Sequence, residues 1–88
     1  MTTDSATHPP LEANFSTLVL SVASSAAMSL GMAPDPSTGQ TQVDKKMAQF
    51  NIDLLEVLKT KSENNRTAEE NTLLDQLLSD LKMKFVSL

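Results

Sequence analysis

The chain is 88 residues long, contains no cysteine and carries 11 acidic against 7 basic residues, a formal net charge of −4. This length allows one domain, and the missing cysteine excludes disulfides and thiolate metal sites. Tryptophan and tyrosine are absent and there are three phenylalanines. The chain therefore lacks the basic surface and the stacking aromatics that nucleic-acid binding requires.

Residues 1–13 are polar, contain Pro9-Pro10 and show no hydrophobic periodicity, so they are predicted to form a disordered tail. The sole histidine, His8, lies in this tail. No basic residue precedes the first apolar stretch, so the start of the chain does not resemble a secretory signal. With the absence of cysteine, this favours a cytoplasmic protein. Residues 14–88 are predicted to form a single helical domain.

The first helix is predicted at about residues 15–32, within a stretch from Ala13 to Pro34 that has no charged residue. One face is apolar and carries Phe15, Leu18, Val19, Val22, Ala26 and Leu30. The opposite side carries mostly small residues, which allow a second helix to approach closely. We predict a self-association face there, formed by Thr17, Leu20, Ser21, Ser24, Met28 and Gly31. The alternative is a central helix covered by its own two partners, with serines bonded back to carbonyl groups.

The second helix is predicted at about residues 44–61, after a loop that two prolines and a glycine keep from being helical. Asp44 is its expected N-cap. Its apolar arc is wide: Phe50, Leu54, Val57 and Leu58 lie on one flank, Ala48, Ile52 and Leu55 on the other, and Met47 between them. A helix with such an arc normally contacts more than one neighbour. Asn51 lies inside the arc, either as a buried polar group that sets helix register or as a partly exposed residue bonded to backbone or water.

The third helix is predicted at about residues 67–86. The turn before it contains Asn64-Asn65, where an asparagine in the left-handed conformation is expected. Thr67 and Glu70 have the spacing of a capping box, and the leucines that follow form one stripe. The prediction is an all-α fold in which a hairpin of helices 2 and 3 packs on the uncharged helix 1. Because so short a chain buries little surface alone, we expect oligomerisation, most simply a homodimer, to complete the core.

Two stretches of the chain resemble a known family. The first half carries Phe15-Ser16-Thr17-Leu18-Val19-Leu20-Ser21, Leu30-Gly31 and Pro34-Asp35-Pro36, and the second carries Ile52-Asp53-Leu54-Leu55 and Leu77-Leu78. These strings resemble a small bacterial family, domain-of-unknown-function family eighteen-forty-four, from about Phe15 to Val86. The family pattern reads Gly-Asn-Leu-Thr where this chain has residues 64–67 as Asn-Asn-Arg-Thr. The resemblance implies a bacterial cytoplasmic helical protein, and it brings no assigned activity or functional residue.

Three function classes remain to be compared. An enzyme is disfavoured because nothing converges on a site: Asp35 and Asp44 specify no metal geometry, and no cofactor is expected. Phe15 to Ala33 is uncharged and approaches the ~20 residues of a bilayer span, but it is rich in serine and has acidic flanks, which disfavour membrane association. We therefore expect a soluble, self-associating interaction or scaffold module, without nucleic acid and with its acidic surface left for another protein partner.

Overall fold

The structure, a computed structural model, describes residues 12–88, and this range contains three α-helices. α1 spans Phe15–Ser29, α2 spans Lys45–Lys61 and α3 spans Ala68–Val86. α1 packs against both members of the α2–α3 hairpin, and most extensively against α2. The all-α prediction is confirmed: residues 12–88 contain no strand beyond an isolated antiparallel bridge between Leu30 and Val43. Of the predicted tail, only residues 12–13 fall within the described part, where they precede α1.

Each helix begins at a polar N-cap residue. The side-chain oxygens of Asn14, Asp44 and Thr67 accept hydrogen bonds from the backbone N–H three residues further on, at 2.9, 3.1 and 3.1 Å. At α3 the carboxylate of Glu70 accepts in return from the Thr67 N–H at 2.8 Å, which completes the predicted capping box. The helix starts are therefore set by local chemistry, because each cap satisfies an N–H that has no partner within its own helix.

α1 ends at Ser29, three residues before its predicted end. The Gly31 N–H donates to the Met28 carbonyl at 3.1 Å and the Met32 N–H donates to the Ala27 carbonyl at 2.9 Å. This pair of hydrogen bonds is the Schellman arrangement, which requires a left-handed residue just beyond the helix. Gly31 supplies it with φ at 76°. Apolar residues continue beyond Ser29, at Leu30 and Met32, so hydrophobic periodicity alone predicts a helix that is too long.

The α2–α3 turn is closed by its own polar groups. Asn64 has φ at 68°, as predicted for an asparagine in this turn. The guanidinium of Arg66 donates through Nη1 to the Lys59 carbonyl at 2.6 Å and to the Ser62 hydroxyl at 2.9 Å, and through Nε to the Asn71 side chain. Arg66 therefore satisfies the end of α2 and joins it to the first turn of α3.

The core lies where the three helices meet. α1 and the residue after it contribute small and medium side chains, whereas α3 contributes leucines: the buried apolar residues are Val19, Ala23, Ala26, Leu30, Ala48, Ile52, Leu55, Leu74, Leu78 and Leu81. Leu18, which the helical pattern placed on the core face, is 48% exposed, and Ala23 is buried. α1 therefore turns its alanines inward, where they let the neighbouring backbone approach closely.

α3 covers only one flank of α2. Two exposed salt bridges mark this flank, Lys59 to Asp75 at 3.3 Å and Glu56 to Lys82. Exposed pairs of this kind contribute little to stability. They do, however, show which side of α2 faces α3.

Candidate functional site

The opposite flank of α2 is apolar, and no residue in the described range 12–88 covers it. Met47, Phe50 and Val57 are 47%, 54% and 52% exposed, and Leu54 between them is half-buried. Their spacing of three, four and three residues places them within an arc of about 80° on the helix, the spacing of a coiled-coil seam. We call these four residues the open face.

The open face lies on the α1 side of α2, away from α3. At 100° per residue, Glu56 and Lys59 point to the opposite side of the helix from the open face. Asn51, which donates to the Ser29 hydroxyl of α1 at 3.4 Å, lies about 40° from Met47. Leu18 lies on the flank of α1 that also carries Ser29, so its exposed side chain belongs to the same side of the molecule.

The predicted self-association face of α1 is on the surface in this structure. Ser21 and Ser24 are exposed, Thr17 and Met28 are half-buried, and Leu20 is 47% exposed at one edge. The first four lie within an arc of about 60°, opposite the buried side of α1. The Ser21 hydroxyl donates to the Thr17 carbonyl at 2.9 Å, so this serine bonds back to its own helix.

Gly31, the sixth residue of that prediction, lies beyond the end of α1 and takes part in the helix-ending turn. A Cβ added there would lie 2.9 Å from the Val43 Cγ2 atom. Its positive φ and this contact explain the glycine without any approaching helix.

A cleft of about 360 Å³, with polar and apolar lining residues, opens between α1, the α1–α2 loop and the start of α2. The Leu30–Val43 bridge and the hydrogen bond from the Asp44 N–H to the Ser29 carbonyl, at 2.8 Å, hold the base of the loop against both helices. The cleft is lined by Ser25, Met28, Ser29, Asp35, Gln40, Gln42, Asp44, Met47 and Asn51. Met47 belongs both to this lining and to the open face, so the cleft lies next to the open face.

Asp35 shapes the loop side of this cleft. Its Oδ1 accepts hydrogen bonds from the Ser37 hydroxyl at 2.7 Å and the Ser37 N–H at 2.8 Å. These bonds lower the pKa of the Asp35 carboxyl. Its own N–H donates to the Gln40 carbonyl at 2.8 Å, so the loop holds an ionised carboxylate in a fixed turn.

Asn51, the predicted buried polar residue, is 6% exposed and lines the cleft. Its Nδ2 donates to the Met47 carbonyl at 3.0 Å and to the Ser29 hydroxyl. It therefore links α2 to α1 across the helix pair. Its Oδ1 accepts no hydrogen bond from any residue that the structure describes.

The part of the chain from residue 12 onward also bears on metal binding and on membrane spanning. This part contains no group of three or more histidine, cysteine, aspartate or glutamate side chains placed to hold a metal. None of its helices has the length and apolar character that a bilayer crossing demands. The Arg66 guanidinium is engaged in the α2–α3 turn, and His8 lies outside the described residues.

In residues 12–88 the fold and surface are those of a small all-α protein, with three packed helices and an apolar helix flank that these residues leave exposed. The chain belongs to the family described as Domain of unknown function (DUF1844), which it matches over residues 12–87. This confirms the family resemblance seen in the sequence. No curated protein and no solved structure matches the chain.

Two features of this surface were not assigned a role from the sequence. The apolar flank containing Phe50 and Val57 was visible as half of a wide arc, but the pattern did not indicate which half stays uncovered. From the sequence, Asp35 specifies no metal geometry and has no other assigned role. Only the folded loop brings Asp35 to the same cleft as Asn51.

Proposed function

We propose that this protein is a non-enzymatic, cytoplasmic interaction module that forms a homodimer through the open face of α2 and the adjoining surface of α1. The observation that carries the proposal is the seam of four apolar side chains on an exposed flank of a well-packed helix. Apolar residues repeated at this spacing are typical of helices that pair with another helix.

The exposed area supports a second copy as the occupant. Half-exposed side chains of this size each present on the order of 100 Å², so the open face supplies about 400 Å². A stable interface buries about 800 Å² on each partner. Leu18, exposed on the same side of the molecule, and the exposed small residues Ser21 and Ser24 further around α1 would supply much of the remaining contact.

Charge favours an antiparallel arrangement of two α2 helices. If Phe50 of one copy lies opposite Leu54 of the other, Lys61 of each copy comes beside Asp44 of its partner. Both side chains are exposed in the described chain, and neither takes part in a salt bridge among the described residues. A two-fold axis makes this contact twice, because each copy supplies one Lys61 and one Asp44.

The mass of the protein in solution tests this proposal. We expect light scattering after size exclusion to give a dimer that dissociates on dilution, and the double variant Phe50→Ser/Val57→Ser to be monomeric at every concentration. Met83→Ser is the matched control, because Met83 is 68% exposed on α3. A wild-type protein that is monomeric at high concentration, or a double variant that keeps the mass of the wild type, contradicts the proposal.

The contribution of α1 is tested separately with Ser24→Leu. Ser24 is exposed on the small-residue side of α1, so a bulky side chain there leaves the monomer intact and prevents close approach of a second helix. We expect Ser24→Leu to weaken the dimer. If mass and stability are both unchanged, α1 takes no close-packed part in the contact and α2 alone carries it.

Membrane association is the competing function, since α1 carries no charge and exposes Leu18 and Leu20. α1 has no basic residue to attract lipid headgroups. We therefore expect the protein to stay in the supernatant when mixed with anionic liposomes and centrifuged. Co-sedimentation that Leu20→Ser abolishes would favour the membrane role instead.

A further inference from the structure

The cleft beside Asn51 is rich in hydrogen-bond acceptors and carries negative charge. Among the described residues, its lining includes the carboxylates of Asp35 and Asp44 and no lysine or arginine. Neither carboxylate forms a salt bridge with a described residue. Each uses Oδ1 to hold its own turn or helix cap, and neither Oδ2 accepts a hydrogen bond from a described residue.

Asn51 adds an acceptor from the buried side of the cleft. Its side chain is more than nine-tenths buried, its Nδ2 is committed to Met47 and Ser29, and its Oδ1 has no donor among the described residues. No side-chain oxygen or nitrogen in the described part is fully buried without a partner. The Asn51 Oδ1 is therefore accessible from the cleft, where it can accept a hydrogen bond from a donor.

The two lysines at the start of α2 are not placed to donate to the Asn51 Oδ1. Lys45 extends toward α3, with its Nζ 5.8 Å from the centre of the Phe85 ring. Lys46 lies about 140° around α2 from Asn51. The start of α2 does bring a partial positive charge, but at roughly half a unit it is smaller than the two carboxylate charges.

We propose that this cleft binds a primary ammonium group. An ammonium has three N–H donors and one positive charge, which match Asn51 Oδ1 and the free oxygens of Asp35 and Asp44. A guanidinium is wider and requires a planar, forked set of acceptors, whereas these acceptors come from three separate segments of the chain. The proposal does not depend on dimerisation.

Two sources can supply the same chemistry. One is a free alkylamine. The other is Lys61 of a second copy, which the antiparallel arrangement brings beside Asp44 and hence to the mouth of the cleft. Both present an ammonium on an unbranched alkyl chain, and Met28 and Met47 offer such a chain apolar contact at the cleft wall.

The test is an NMR titration of the full-length protein, labelled with nitrogen-15, with n-butylammonium chloride at constant ionic strength. We expect saturable shifts of the Asn51 side-chain amide and of the Ser29 backbone amide. The uncharged alcohol n-butanol, of similar size, should leave them unchanged. Absence of saturation, or equal shifts with n-butanol, overturns the proposal.

Variants identify the groups responsible. Asp35→Asn and Asp44→Ser remove charge while keeping an acceptor for the turn and for the cap, and together they should weaken butylammonium binding at least about tenfold. The control variant Asp53→Asn/Asp80→Asn makes the same change of net charge on exposed helix positions. If the control weakens binding as much as the cleft variant, the effect is general electrostatics and the cleft is not the site.

Light scattering then separates the two sources. If saturating butylammonium and Lys61→Gln each lower the mass of a dimer, while Lys84→Gln does not, Lys61 of the second copy is the natural occupant. If the mass is unaffected by the amine, the natural ligand is a free amine. A protein that is monomeric throughout would refute the proposed dimer, yet the titration would still decide whether the cleft binds an ammonium.

Discussion

The two apolar flanks of α2 have similar composition and opposite surroundings. Ile52 and Leu55 are 3% and 0% exposed, whereas Phe50 and Val57 are each more than half exposed. Both flanks belong to one continuous helix, Lys45–Lys61. The difference lies in the neighbours: α1 and α3 pack on one flank only. An apolar flank that the chain does not cover itself is the place to look for its function.

The buried flank should show the largest loss of stability. Leu55→Ala removes a fully buried side chain from the point where the three helices meet and leaves a cavity, so we expect unfolding free energy to fall by about 3 kcal/mol. Urea denaturation followed by circular dichroism measures this. A loss below about 1 kcal/mol would mean that the two flanks differ far less in packing than their exposure indicates.

The second-largest loss of stability is expected from overpacking the buried flank of α2. Ala48 is 0% exposed and belongs to the core cluster. Ala48→Leu inserts a larger side chain between helices, and overpacking of this kind costs about 2 kcal/mol. The exposed substitution Gln49→Leu, one residue along, is the matched control and should have little effect. A stable Ala48→Leu variant would show that the helices around this core position can move apart at low cost.

The N-cap of α3 contributes to stability without involving either flank of α2. Thr67→Ala removes the acceptor for the Glu70 N–H and half of the capping box, and should lower the unfolding free energy by about 1 kcal/mol. Thr72→Ala, at an exposed position of the same helix, is the control. Because neither threonine lies on the open face, light scattering should give the wild-type mass for both. A dimer lost in Thr67→Ala would indicate that mass follows general stability rather than the open face.

Local chemistry explains how much of this fold the sequence predicts. The helix starts at Asp44 and Thr67 and the left-handed Asn64 are properties of a few neighbouring residues, and the structure contains all of them. The end of α1 is harder to predict, because Leu30 continues the apolar pattern beyond Ser29, where the helix ends, and only the hydrogen bonds around Gly31 mark the turn. Helical periodicity identifies apolar flanks but contains no information on where a neighbour packs.

The cleft is harder still to predict. Ser25, Asp35 and Asn51 are separated by 10 and 16 positions along the chain, and they meet only because Leu30 and Val43 pair at the base of the loop. No local pattern specifies that closure. An acceptor-lined cleft between separate segments can therefore be found only in the folded chain.

The smallest predicted effect is on the open face, with Val57→Ala as the counterpart of Leu55→Ala. In a monomer, trimming a half-exposed side chain changes the unfolding free energy by less than about 0.5 kcal/mol. In a dimer the same side chain is covered, and stability rises with protein concentration by mass action.

Thermal unfolding at two protein concentrations separates these cases. Val57→Ala should match the wild type when dilute and unfold at a lower temperature when concentrated, whereas Leu55→Ala should be destabilised at both concentrations. If Val57→Ala matches the wild type at both, no second copy covers this flank and the open face is an ordinary exposed surface. If Val57→Ala is destabilised equally at both, Val57 contributes to the monomer itself, and the contrast between the two flanks of α2 is smaller than their exposure indicates.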